Sequence, residues 1–377
     1  MLDVMDQALA WYREGVRFSL ATVVRTWRSA PRPAGATMAI AQTGEVVGSV
    51  SGGCVEAAVY DLGLQVLETG EPVLQSYGVS DDDALAVGLT CSGALEVFVR
   101  PVDCEWFPCL EQLVGEVTAG RPVAVATTLA GGPRPGRARL MVQPSGFTGS
   151  LGEARLDSLT AASALDMLSR GETGVLRPAD AACAVSPEVL VESYAPPPRM
   201  LVFGAVDFAA AVTEIGKFLG YRVTLCDARP VFATAKRFPE ADEVVVDWPH
   251  RYLASVRERV DERTAICVLT HDPKFDVPLL EVALRTRAGY IGAMGSRRTH
   301  ADRLVRLREA GLNAGELARL CSPIGLDLGA RSPQQTAVSI AAEIIAAQCG
   351  GSGRRLTDTG SAIHRRPEPA EAVAPRS

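Results

Sequence analysis

Five short apolar runs in the second half of the chain constrain its fold more than any other feature. They are MLVFG at 200–204, RVTLCD at 222–227, EVVVDW at 243–248, AICVLTH at 265–271 and YIGAMG at 290–295. Between them lie helical patterns of about 10 to 15 residues. Short apolar strands alternating with helices predict a parallel sheet with helices on both faces. The spacing predicts a Rossmann-like domain over 199–349, closed by a helix over 334–348.

The region before it reads differently. An amphipathic helix is predicted over 1–17, then strands FSLATVV, ATMAIAQ and EVVGSV with a turn at Thr43-Gly44. A helical pattern follows over 55–67, and a second run of glycine, cysteine and strand, VGLTCSGALEVFVRPV. Residues 106–195 add a helix over 109–119, strands VAVATTL and RLMVQ around the loop AGGPRPGRAR, and a helix over 156–169. These are too few elements for a separate core, and no internal repeat is apparent, so 1–195 is expected to be one domain. Pro196-Pro197-Pro198 is a stiff linker. Residues 350–377, rich in Gly, Pro, Ala, Arg and Glu, are expected to be disordered. The expected class is therefore α/β, a mixed N-terminal α/β domain followed by a Rossmann-like parallel sheet.

Composition removes several function classes. A net charge of -6 argues against a nucleic-acid partner. No apolar stretch approaches the ~20 residues of a membrane span. The N-terminal helix carries Asp3, Asp6 and Glu14 and lacks the features of an export signal, so a cytoplasmic location is expected. There the nine cysteines should stay reduced. None forms C-x-x-C, and Cys104 and Cys109 are wrongly spaced for a zinc knuckle.

The stretches that carry chemistry each admit a plain structural reading as well. In GSVSGGCVE, a strand meets a helix through Ser51, Gly52, Gly53 and Cys54, with Glu56 beyond. Glycines there allow close approach of a ligand, and the helix start favours a thiolate or a phosphate. The alternative is a tight turn with a small buried cysteine. GLTCSG, with Cys91, has the same shape. Gly204 sits at a strand-to-helix turn, and Asp227 ends the next strand where a ribose-binding acid would lie. Val206 stands where a second glycine would admit pyrophosphate, and Asp207 is more simply a helix cap. At later strand ends, His271 and Asp272 could form an acid–base pair, and Gly295, Ser296, Arg297 and Arg298 suit an anion. A satisfied histidine and a capped helix with two solvated arginines are the alternatives.

In order along the chain, GSVSGGCVE, GLTCSG, THDPKFD, YIGAMGSRRT and PIGLDLGARSPQQTAVSIAAEI closely resemble the XdhC/CoxI family of xanthine dehydrogenase accessory factors. The resemblance spans nearly all of 1–349. It implies binding of the molybdenum cofactor and its delivery to a molybdenum hydroxylase apo-enzyme, a non-catalytic maturation role. It also implies contact with cofactor-processing proteins and self-association as a homodimer. By that analogy Cys54 and Cys91 lie near the metal–dithiolene end, where soft thiolates suit molybdenum. Ser92 and Val206 stand where relatives often carry glycine. Two other readings compete: an oxidoreductase using NAD(P), a flavin or another nucleotide, and a redox sensor joining Cys54 to Cys91.

Overall fold

The computed structural model describes residues 2–27, 32–78, 94–130, 135–178 and 187–360. The chain divides into two compact units at Pro196/Pro197.

The first unit holds two antiparallel five-stranded sheets. Helix α1 (Met5–Glu14) leads into β1 (Phe18–Trp27), β2 (Thr37–Ala41) and β3 (Val46–Gly48). Helix α2 (Glu56–Thr69), β4 (Val73–Tyr77) and β5 (Ala94–Val102) follow, giving the order β3-β2-β1-β5-β4. Helix α3 (Leu110–Thr118) then leads into β6 (Val123–Ala130), β7 (Arg139–Gln143) and β8 (Gly146–Ser150). Helix α4 (Ala154–Arg170), β9 (Gly174–Leu176) and β10 (Glu188–Tyr194) complete a sheet ordered β8-β7-β6-β10-β9. The two orders are the same order. Residues 106–195 are thus not an appendage of the first sheet but a second copy of its topology, and an internal repeat exists where none was expected.

The copies agree in detail. Phe18 pairs with Val102 and Leu20 with Arg100; Val123 pairs with Tyr194 and Val125 with Glu192. Both leading strands carry an irregularity at the same place, Val24 and Leu129. Helices α1, α2 and α4 stop at a left-handed glycine, Gly15, Gly70 and Gly171, and α3 ends one residue short of another, Gly120. There the missing side chain lets the backbone turn back on the last carbonyls.

The sheets pack face to face through Phe18, Leu20, Val123, Val125 and Met141, with α1 and α3 covering one end. The outer face of the first sheet is covered by α2 through Val59 and Val66, that of the second by α4 through Ala164 and Leu168. Central strands covered on both faces need apolar residues at successive positions. This is why Phe18 to Val24 is buried without alternation.

The second unit is a parallel sheet. Strands β11 (Arg199–Phe203), β12 (Arg222–Asp227), β13 (Glu243–Val246), β14 (Ala265–Val268), β15 (Tyr290–Ala293) and β16 (Leu320–Cys321) take the order β13-β12-β11-β14-β15-β16. This is the doubly wound order, reversing between β11 and β14. Helix α5 (Asp207–Phe218) follows β11; α6 (Pro249–Ser255), α7 (Pro273–Ala283), α8 (Arg297–Glu309) and α9 (Ala314–Leu317) come later. The closing helix α10 (Pro333–Cys349) is fixed by a Ser332–Gln335 capping box. Strand β16, two residues long, had no periodic signal to announce it.

Candidate functional site

The GSVSGGCVE stretch folds as a turn that binds its own carboxylate. Gly48, at φ +85°, lets β3 pass the Thr37 carbonyl; a Cβ there would lie 2.3 Å from that oxygen. Ser51, Gly52 and Gly53 then direct their amides inward at Glu56, the first residue of α2. Oε1 accepts from the Ser51 and Gly52 amides at 2.9 Å each, and Oε2 from the Gly53 amide at 2.8 Å. The hydroxyls of Ser49 and Ser51 add bonds of 2.7 and 2.5 Å. Burial alone would raise the Glu56 carboxyl, but these hydroxyls and amides hold it down to about 2. The backbone donors expected to be free for a phosphate are therefore taken by the chain itself.

Beside this turn stands a free cysteine, Cys54, which packs against the apolar cluster of Val50, Val55 and Val59. Cys54 is half-buried and unbonded to another cysteine, and its amide is fixed on Ser51 Oγ at 3.0 Å. Gly52 and Gly53, at φ +78° and +122°, carry no side chain, and a Cβ on either would meet nothing within 4 Å. Both glycines thus face open space. Cys91 lies outside the described residues. Among the described residues no group of three or more His, Cys, Asp or Glu converges as a metal site.

The second half repeats the turn without its chemistry. Gly149, at φ +90°, passes the Arg139 carbonyl as Gly48 passes Thr37. Asp157 on α4 accepts from Ser150 Oγ at 2.7 Å and the Leu151 amide at 2.6 Å. Counting from these shared anchors, Arg155 occupies the place of Cys54, and Glu153 and Ala154 replace the two glycines.

In the second unit, the expected residues lie at the carboxyl edge of the sheet, where Asp227, Asp272 and Ser296 are each engaged by a neighbour in the chain. Gly204 (φ +111°) turns β11 into α5, and a Cβ there would sit 2.8 Å from Thr270 Cγ2. Asp227 accepts from the Ala205 amide at 2.7 Å and from Arg229 Nε and Nη2 at 2.9 and 2.8 Å. Burial works against its charge, but Arg229 and these amides keep its carboxyl below the ordinary range. A ribose would have to displace that fork.

His271 and Asp272 form no pair. His271 is exposed, and Asp272 caps α7 through the Lys274 amide at 3.0 Å, with the Lys274 ammonium also at 3.0 Å. Ser296 caps α8 through the Thr299 amide at 3.1 Å, directly after Gly295. Arg297 and Arg298 are exposed and have no ion pair among the described residues.

The buried charges are weakly marked in the sequence. Arg100 (0% exposed) and Glu192 (3%) pair at 2.8 Å between the two sheets. Arg139 is buried nearby, and Arg303 pairs with Asp276 at 2.9 Å behind the edge of the parallel sheet. The available signal was a charge inside an apolar strand, as in ALEVFVRPV, EVLVESY and RLMVQ.

Fold and edge loops together define a two-unit α/β protein whose second unit is of Rossmann type. More narrowly, the chain belongs to the XdhC and CoxI family. The model of that family matches residues 11–78 and 117–178, one stretch in each half of the duplicated unit. The model of the XdhC Rossmann domain matches 200–344. The chain is similar to a probable xanthine dehydrogenase subunit from Bacillus subtilis, 27% identical over 349 residues, covering 91% of this chain and 96% of that protein. It is also similar to the molybdenum cofactor insertion chaperone PaoD of Escherichia coli, 24% identical over 326 residues, covering 86% of this chain and 81% of that one. A crystal structure of a xanthine dehydrogenase from Bacillus halodurans shares the fold, with a TM-score of 0.66 at 23% identity over 94% of this chain and 98% of that chain. Among the described residues no helix is long and apolar enough to cross a membrane.

Proposed function

We propose that this protein binds the molybdenum cofactor and delivers it to a molybdenum hydroxylase apo-enzyme in the cytoplasm, without turning over a substrate of its own. Support comes from family membership and from the chaperone name of one relative. The observation that carries the reading is Cys54, a free, half-buried cysteine directly after two glycines whose Cβ side is open space. The residues present fit the soft end of such a cofactor, since a thiolate suits molybdenum. They do not offer its phosphate a place in the same turn, because Glu56 holds those amides. The phosphate therefore needs a donor set other than this turn.

The test is made on protein purified from a host that synthesises the cofactor. Molybdenum is measured by mass spectrometry and the oxidised pterin by fluorescence, for the wild type and Cys54→Ala. Near-stoichiometric pterin that falls to background in the variant, with the melting temperature preserved, is the expected result. Equal pterin in both proteins would remove Cys54 from the site.

A further inference from the structure

Between the two sheets the charges of the described residues do not balance. Two guanidinium groups, Arg100 and Arg139, face one carboxylate, Glu192. Arg100 takes that carboxylate at 2.8 Å. Arg139 is 8% exposed and stacks 4.3 Å above the Phe107 ring. Its Nη1 donates to the Trp106 carbonyl, and its Nε and Nη2 meet no acceptor among the described residues. Burial, reinforced by Arg100, brings its pKa down to about 9, the mark of a cation short of a counter-charge. A buried charge without a partner is strongly unfavourable, so native proteins supply one from the chain or from a ligand.

A cavity of about 760 Å³ opens beside it. Arg139 forms part of the wall, with Cys109, Arg137, Thr148 and Ser150. Arg137 lies over the Trp106 ring at 4.2 Å, and its one acidic neighbour in the cavity among the described residues is the exposed Glu105, at 3.3 Å. In the first half the corresponding place holds an apolar side chain. There Val4 stands where Cys109 stands, each capping the helix that leads its half, and a Cβ on Gly48 would lie 2.4 Å from Val4 Cγ1. Thr37 holds the place of Arg139. The second half has therefore exchanged an apolar plug and a threonine for a cavity and a buried cation.

We propose that this cavity binds a tetrahedral oxyanion, either free or as the phosphate of a monoester, held by Arg137 and attracted by the buried guanidinium charge of Arg139 behind the wall. The site is separate from Cys54, and its test does not use the cofactor.

Melting of the full chain is followed in sodium phosphate and in phenyl phosphate, each against chloride at equal ionic strength. The wild type should gain on the order of 5 °C when the anion is in about hundredfold excess over its Kd. Arg139→Met should lose the gain. Should that variant not fold, Thr148→Glu decides instead. It puts a carboxylate on the exposed wall, supplies the counter-charge from the chain, and should abolish the gain without disturbing the core. Saturation by phenyl phosphate at a lower concentration than phosphate would assign the site to a phosphorylated organic ligand; equal concentrations would assign it to a free oxyanion. No gain in the wild type, or a full gain in the variants, would overturn the proposal.

Discussion

The two halves of the first unit share a scaffold and divide its uses. In both, a glycine squeezes past a carbonyl and a serine hydroxyl meets a carboxylate in the first turn of a helix. In the first half the carboxylate gathers several amides and leaves a cysteine flanked by open glycines. In the second it takes fewer bonds, and the polar investment lies instead in a buried arginine beside a cavity. The comparison separates what the fold requires from what a site adds. Glycine, serine and acid recur because the strand-to-helix turn needs them; Cys54 and Arg139 each occur once.

The largest expected effect tests the contact that joins the halves. Glu192→Leu removes the carboxylate that serves Arg100 and leaves two buried guanidinium groups without a counter-charge. Denaturant unfolding should show a loss of about 3–5 kcal/mol, and adding Arg100→Leu should recover much of it. A loss within about 0.5 kcal/mol, typical of surface sites, would mean the halves do not depend on this pair. Next come the two turns. Glu56→Ala strips several backbone donors of their acceptor and should cost about 3 kcal/mol, whereas Asp157→Ala should cost about 1–2 kcal/mol. Equal losses would erase the distinction between a donor-rich turn and an ordinary cap.

The smallest effect is in pH. The Glu56 carboxyl is depressed to about 2 in the folded protein, so its contribution is present above the unfolded carboxylate range and is lost as pH falls toward 2. The wild type should therefore lose stability between about pH 5 and 2 more steeply than Glu56→Gln. Parallel profiles from the two proteins would rule out Glu56 as the source.

Much of the second unit could be read from residues alone. Its strands are apolar runs separated by helix-length spacers, and the helix caps Asp272, Ser296 and Ser332 precede or open clear helical patterns. The duplication could not be read in this way. Its halves retain few identical residues, and positions such as Val4 and Cys109, Thr37 and Arg139, or Cys54 and Arg155 differ in size and charge. What they share is hydrogen-bond register, which only a paired sheet displays. The site was partly legible for the same reason. A cysteine after two glycines stands out in sequence, but the direction of the amides toward Glu56 is a matter of backbone geometry. Arg139 gave only a charge at the start of an apolar strand, with nothing to say that its neighbours would leave it unmatched.

Arg100 and Glu192 occupy the same position in the two copies and touch each other, so the axis relating the copies runs between them. A dimer of identical chains would place like against like on such an axis, arginine on arginine or glutamate on glutamate. Opposite charges can meet there only when both copies lie in one polypeptide and are free to differ. The ion pair is thus a commitment to tandem order: two separated copies of either half could not re-form it with themselves.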